Sequence, residues 1–355
     1  MMSDLHEILA QFDIPSNAAM TIEPFGNGHI NRTYLVGTEP KTVLQYVNST
    51  VFPRPIEVME NIAGITEFLS RRITAEGGDP TRETIRLIPA RDGRYYVEAD
   101  GSVYRLFYLV DGHSIELADD PNNLYLAAKT FGRFLKLLEG YPVETLHETI
   151  RDFHNTADRY RKFRAAVDAD VAHRATEVQK EIAFVTERAD DCRVVTDAIA
   201  AGEIPLRVTH NDTKLNNFLF DESGACIALL DLDTVMPGSL LYDYGDALRF
   251  GASSAAEDET DLDKVYCRTE CVDAFTRGFL EEFGEVLTPK EKALLPFSIK
   301  LLTLECGMRF LTDYLSGDTY FHIAHPRHNL DRARNQFKLV WDLEQKYGLA
   351  PGSIR

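Results

Sequence analysis

The sequence predicts an α+β fold in two parts, a small antiparallel-sheet lobe followed by a larger, mainly helical one. Three observations carry that reading. Up to residue 110, short runs of branched and aromatic residues alternate with glycine turns, the pattern of an antiparallel meander. Beyond Asp111-Gly112-His113, most segments repeat their apolar residues at intervals of three and four, the period of a helix with one buried face. The exception is residues 206–233, whose apolar runs are too short for helices and suit small strands around a polar loop. The expected division is 1–110 for the N-terminal lobe and 111–355 for the C-terminal lobe.

In order, residues 4–12 read as an opening helix, and residues 21–25, 33–36 and 42–47 as three strands. The turn between the first two, Gly26 to Asn31, carries two glycines and could lay backbone amides over a phosphate group. From 55 to 76, Ile56, Met59, Ile62, Ile65, Leu69 and Ile73 line one helix face, ended by Gly77-Gly78. Strands return at 84–88, 95–98 and 103–110, the last two joined by Asp100-Gly101, a strong hairpin signal. Helices are expected at 121–138, 150–167, 176–201, 261–283, 290–315 and 332–347.

Composition narrows the function. A net charge of −18, from 38 basic and 56 acidic residues, lacks the basic footprint that nucleic acid or an anionic membrane requires. The start of the chain, Met1 to Glu7, has no basic region ahead of an apolar core, so no signal peptide is expected. No apolar run approaches the roughly 18 residues of a membrane span. The 5 cysteines fit no disulfide framework, and Cys267 and Cys271 lack a second pair for zinc. A cytoplasmic protein acting on small molecules is expected, with no membrane or nucleic-acid partner, and a monomer is favoured. His322, His325 and His328 are spaced by three, yet Pro326 interrupts the helix that would align them.

The chemistry concentrates in Val208 to Asp233. Thr209-His210-Asn211-Asp212-Thr213-Lys214-Leu215-Asn216-Asn217 is a polar loop, and Ile227-Ala228-Leu229-Leu230-Asp231-Leu232-Asp233 is an apolar run ending in two carboxylates. Metal-dependent phosphoryl transfer needs an aspartate to orient the attacking hydroxyl, an asparagine five residues later on Mg²⁺, and an aspartate on a following turn for the metal. Asp212, Asn217 and Asp231 stand at those places. Lys214 can reach the transferring phosphoryl oxygens as a point charge. Asp233 shares the strand face of Asp231 and is either a second ligand, a substrate contact or a turn aspartate. His210 and Asp243 read as residues that hold the loop.

Taken with the stretches Gly28-His29-Ile30-Asn31, Met236-Pro237-Gly238-Ser239, Arg249-Phe250-Gly251-Ala252-Ser253 and Glu305-Cys306-Gly307-Met308-Arg309-Phe310-Leu311, these residues resemble the aminoglycoside phosphotransferase and choline kinase family. Within it the chain is most similar to the bacterial N-acetylhexosamine 1-kinases. The resemblance implies a protein-kinase-like two-lobed fold with ATP held between the lobes, Mg²⁺ as cofactor, and phosphorylation of the anomeric hydroxyl of N-acetylglucosamine or N-acetylgalactosamine. It implies Asp212 as catalytic base, assisted by Lys214, and Asn217 and Asp231 as metal ligands. Gly26, Gly28 and Gln45 would face the nucleotide, with Leu106, Tyr108 and Val110 at the hinge that meets adenine. His29, Asn31, Asp233, Arg309 and Tyr320 would meet the sugar.

The chain departs from that family at Gln45, where the third strand usually carries a lysine for the α- and β-phosphates. Glutamine donates a hydrogen bond but no charge. The helix glutamate that would partner such a lysine is then not needed, and Glu57 and Glu60 are given no role. Kinases of other small alcohols, such as choline, homoserine, methylthioribose or an aminoglycoside, are the nearest alternatives. Gln45 also raises a catalytically silent nucleotide-binding protein.

Overall fold

The computed structural model describes residues 4–15, 20–26, 30–115 and 120–354. It is an α+β protein. The chain begins with α1 (Leu5–Leu9), β1 (Ile22–Pro24), β2 (Arg32–Val36), β3 (Thr42–Val47), α2 (Pro55–Ala75), α3 (Pro80–Glu83), β4 (Leu87–Ile88), β5 (Val97–Ala99) and β6 (Ser102–Tyr108). It continues through β7 (His113–Ser114), α4 (Pro121–Leu137), α5 (Thr156–Ala169), α6 (Gln179–Thr186), α7 (Val194–Ala200), β8 (Arg207–Thr209), β9 (Phe218–Phe220), β10 (Cys226–Leu229) and β11 (Met236–Gly238). Four helices close it: α8 (Leu240–Gly251), α9 (Thr269–Phe283), α10 (Pro289–Leu315) and α11 (His328–Tyr347). Among the described residues no helix is long and apolar enough to cross a membrane.

Two compact units share these elements. One holds residues 1–115, 133–151 and 217–237, the other 116–132, 152–216 and 238–355.

The first unit is organised by a six-stranded antiparallel sheet in the order β1-β2-β3-β6-β4, with β5 also paired to β6. Its branched and aromatic strands bury one face against α1, through Ile8, Leu9, Val36, Leu44, Val97 and Leu106. The predicted hairpin is there: Asp100 (φ 49°) and Gly101 (φ 72°) turn the chain left-handed between β5 and β6. The helix expected from 55 to 76 is α2, opened by Pro55 and burying Ile62, Ile65, Leu69 and Ile73. A second, three-stranded sheet runs β10-β9-β7. There Val110, Leu219 and Ala228 form a small apolar cluster.

The second unit is organised by α10, which contacts α5, α6, α8 and α11. A capping box between Thr288 and Glu291 opens α10, and Pro289 sits in its first turn, where the missing N–H costs nothing. Leu304, Met308, Leu311 and Leu315 then pack with Phe163, Leu330 and Phe337.

Two expectations change here. The helix predicted for 176–201 is broken into α6 and α7 around the short turn Asp191–Arg193. The turn delivers the Asp191 carboxylate to the buried Lys300 ammonium, 2.7 Å away, and Lys300 is also 2.9 Å from Glu344. A buried ammonium without partners is far more costly than an interrupted helix.

The other change is α8, which falls in a stretch read as loop. Leu240 to Arg249 are buried without exception, and the polar residues spaced by three along it, Asp243, Asp246 and Arg249, meet partners inside the protein instead of solvent. Ser239 caps it, accepting a hydrogen bond from the Leu241 amide.

Gly245 lets α8 lie against α10. A Cβ there would collide with the carbonyl oxygen of Ser298, a backbone atom with little freedom to retreat. Gly245→Ala is expected to destabilise the protein by about 1–3 kcal/mol. Urea unfolding measures it, and an unchanged midpoint would mean that the two helices have room to separate.

Candidate active site

The first unit carries the acidic turn. β9 and β10 pair so that Phe218 faces Leu229, and the Leu230 amide donates to the Asn217 carbonyl at 2.8 Å. Asn217 and Asp231 therefore leave the same open end of one hairpin, although 14 positions separate them in the sequence numbering. Asp231 takes a left-handed backbone (φ 59°, ψ 68°), uncommon for a non-glycine residue, which turns the chain sharply out of β10. An amide oxygen and a carboxylate are hard donors of the kind Mg²⁺ accepts when phosphate oxygens and waters fill its other positions. The donor set fits that metal. Among the described residues no cluster of three or more His, Cys, Asp or Glu forms a self-contained metal cage.

Asp233 is tied into the sheet. One carboxylate oxygen accepts from the Arg105 guanidinium, and the other from the Asn31 amide at 2.5 Å. Asn31 in turn accepts from the Asn48 amide at 3.0 Å. Gln45 lies opposite Arg105 in the β3–β6 register. Its carbonyl oxygen accepts from Nε and Nη2 of Arg105, at 2.9 and 2.6 Å, and its amide donates to the Thr33 hydroxyl at 2.9 Å. The glutamates of α2 look elsewhere, Glu57 to Arg54 and Glu60 to His147.

Gly26 is left-handed (φ 76°) with open space where a side chain would stand. Gly28 and His29 lie outside the described residues. Leu106 and Val110 are buried, and Tyr108 stacks under the Arg86 guanidinium, 4.4 Å from the ring centre.

The second unit carries the polar loop, and Asp243 of α8 holds it. Its buried carboxylate accepts from the amides of His210 (2.8 Å) and Asn211 (2.5 Å), while its own carbonyl accepts from the Thr213 hydroxyl (2.6 Å). The left-handed Asn211 (φ 63°) is thereby fixed. The Asp212 amide points to Nδ1 of His210 at 3.3 Å, so the ring supports the loop from within and carries its proton on Nε2.

The Asp212 carboxylate meets Lys214 Nζ at 2.8 Å, and both side chains are partly exposed. Burial works against the lysine's charge, but Asp212 and Asp246 outweigh it and hold the Lys214 pKa above its ordinary value. Asp246 is itself ion-paired with the buried Arg249. Burial raises the Asp246 carboxyl, and Arg249, Lys214 and His154 more than reverse this, leaving it below the usual range.

Arg309 and Tyr320 come together on the same unit. Both touch Phe321: Arg309 lies 5.5 Å over its ring, and Tyr320 meets it edge-on at 4.7 Å. Asp313 organises this loop by accepting the amides of Thr319, Tyr320 and Phe321, each at 2.9 Å, together with the Asn329 side chain. Tyr320 is left 73% exposed, a free ring face on a fixed backbone. One turn before Arg309, the buried Glu305 accepts from the Thr156 hydroxyl at 2.5 Å and pairs with His154 at 2.9 Å. Burial, and then the neighbouring Arg309, lower the pKa of Arg159.

The structure thus brings Asn217 together with Asp231, Asp212 with Lys214, Asn31 with Asp233, and Arg309 with Tyr320. Arg105 belongs to no motif named above, and its signal in the sequence is a lone charge amid Val103-Tyr104-Arg105-Leu106-Phe107.

The sequence profile of a phosphotransferase enzyme family matches residues 21–283, about three quarters of the chain. The chain belongs to this phosphotransferase family. Solved structures agree on the fold. The phosphotransferase is similar to an aminoglycoside phosphotransferase from Alicyclobacillus acidocaldarius (12% identity, 98% of this chain and 97% of that one, TM-score 0.61). It is also similar to an ethanolamine kinase from Plasmodium vivax (15%, 91% and 84%, TM-score 0.57). A third is a spectinomycin phosphotransferase in complex with ADP and spectinomycin (12%, 97% and 99%, TM-score 0.56). The fold is the two-lobed, kinase-like one.

Proposed function

We propose that this phosphotransferase is an ATP- and Mg²⁺-dependent kinase that phosphorylates the anomeric hydroxyl of an N-acetylhexosamine. The observation that carries the kinase reading is the Asp212–Lys214 pair on a loop clamped by Asp243, in a chain whose Asn217 and Asp231 share one hairpin end. In this reading Asp212 accepts a hydrogen bond from the acceptor hydroxyl, and Lys214 offers its charge to the phosphoryl oxygens as bonding to the old oxygen weakens. Asn217 and Asp231 hold Mg²⁺, which when bound neutralises charge on the phosphates. The similar spectinomycin enzyme was crystallised with ADP, which supports a nucleotide as donor.

The acceptor class rests on Arg309 and Tyr320. A pyranose offers an apolar ring face to an aromatic side chain and hydroxyl and carbonyl oxygens to an arginine. A cationic acceptor such as choline or an aminoglycoside would want aromatic and acidic walls instead, and here Arg309 stands beside a second arginine, Arg159.

The test is a panel of N-acetylglucosamine, N-acetylgalactosamine, glucose, choline, homoserine and kanamycin with ATP and Mg²⁺, products being identified by ³¹P NMR. Turnover of an N-acetylhexosamine to an acid-labile 1-phosphate, abolished by EDTA and restored by Mg²⁺, is expected. Turnover of choline or kanamycin alone would overturn the acceptor reading, and no turnover of any alcohol would overturn the enzyme.

A further inference from the structure

Arg105 is the one arginine in the middle of the large sheet's β6, with only 5% of its surface exposed. Among the described residues, Gln45 and Asp233 occupy three of its five N–H groups, leaving one donor on each terminal nitrogen. Guanidinium donors of this kind suit the oxygens of a phosphate. A buried ion pair is seldom the most stable filling for such a space, since apolar side chains of the same volume avoid its desolvation. This pair also sits where a charge is wanted. Gln45 occupies the strand position at which kinases of this architecture carry their phosphate-binding lysine, and Arg105 is its direct neighbour across the β3–β6 ladder. Through Asp233 the same guanidinium is linked to the acidic turn and to Asn31.

We propose that Arg105, one strand over from the usual lysine, is the cation that holds the nucleotide's phosphates, and that Gln45 is a positioning residue that orients it. The inference rests on the kinase reading above. It assigns the charge that Gln45 lacks, and it makes Asp233 the internal counter-charge with which the phosphates compete for Arg105, while Gln45 fixes the cation's direction.

The experiment is calorimetric titration of the full chain with adenosine and with ADP in EDTA, so that neither turnover nor metal enters. Arg105→Gln is expected to weaken ADP by about tenfold or more while adenosine changes by less than about twofold. Gln45→Lys added to Arg105→Gln moves the charge back to β3 and is expected to recover most of the ADP affinity. Asp233→Asn removes the internal counter-charge and is expected to tighten ADP. Equal losses for adenosine and ADP, or no loss, would overturn the proposal. So would an Asp233→Asn variant that loses ADP as Arg105→Gln does, because the arginine would then act only by placing the acidic turn. If Arg105→Gln alone does not fold, the double variant decides: ADP retained supports the proposal, and ADP lost with adenosine retained overturns it. Wild-type protein that binds no nucleotide would refute the kinase reading itself, whereas wild type that binds ADP beside an unaffected Arg105→Gln would refute only this assignment.

Discussion

Asp212→Asn is expected to lower kcat by about 10²-fold or more while leaving KM for both substrates and the melting temperature close to wild type. The loop's fixed points are the His210 and Asn211 amides and the Thr213 hydroxyl, all bonded to Asp243, and Asp212→Asn leaves each of these bonds in place. The bond from Asp212 to Lys214 is partly exposed and adds little stability. What asparagine removes is the negative charge that draws the acceptor hydroxyl and receives its proton. The proposed acceptor, an anomeric hydroxyl, is more acidic than an ordinary alcohol, so in that proposal part of this role is orientation, and asparagine keeps one acceptor oxygen. Asp212→Ala should then be slower than Asp212→Asn. Single-turnover rates separate these variants from effects on release, and a near-normal rate in Asp212→Asn would exclude the residue as the base.

The parts of this molecule that were legible in its sequence are those written in short-range pattern. The strands of the large sheet and the Asp100-Gly101 hairpin follow from alternation and left-handed turn residues, and α2 from a single apolar stripe. The pairing of Asn217 with Asp231 is likewise local, because one hairpin brings both to the same end. What stayed hidden depends on partners far along the chain. α8 is buried on every side, and its polar residues Asp243, Asp246 and Arg249 are matched by partners inside the protein. The break at Asp191 is made by Lys300, and the setting of Asp233 by Arg105, 128 positions away. A charge inside an apolar strand shows that a partner exists but not which one.

Asp243 carries the second large effect, and its sign with pH is specific. Each of its carboxylate oxygens accepts one backbone amide. Asparagine has one oxygen, so Asp243→Asn must turn an NH₂ against an N–H or abandon a bond. The expected cost is about 2–4 kcal/mol in stability, with kcat lowered by about 10²-fold because Asp212 loses its fixed base. Burial pushes the Asp243 carboxyl up to about 7 from 3.8, against the two amide bonds that pull it down. A raised folded pKa means that the native state keeps a proton which the unfolded chain has released. The group's contribution is therefore fully present below pH 4 and is lost as pH rises toward 7, about 4 kcal/mol over the whole window at 1.36 kcal/mol per unit. Urea unfolding of wild type and Asp243→Asn in parallel isolates it, since all other titrations cancel in the difference. The wild-type advantage should shrink by about 2 kcal/mol between pH 5 and pH 7. An advantage that holds constant across that range would mean that the two amides keep Asp243 ionised throughout, and the loop would then be held by a charged clamp rather than a neutral one.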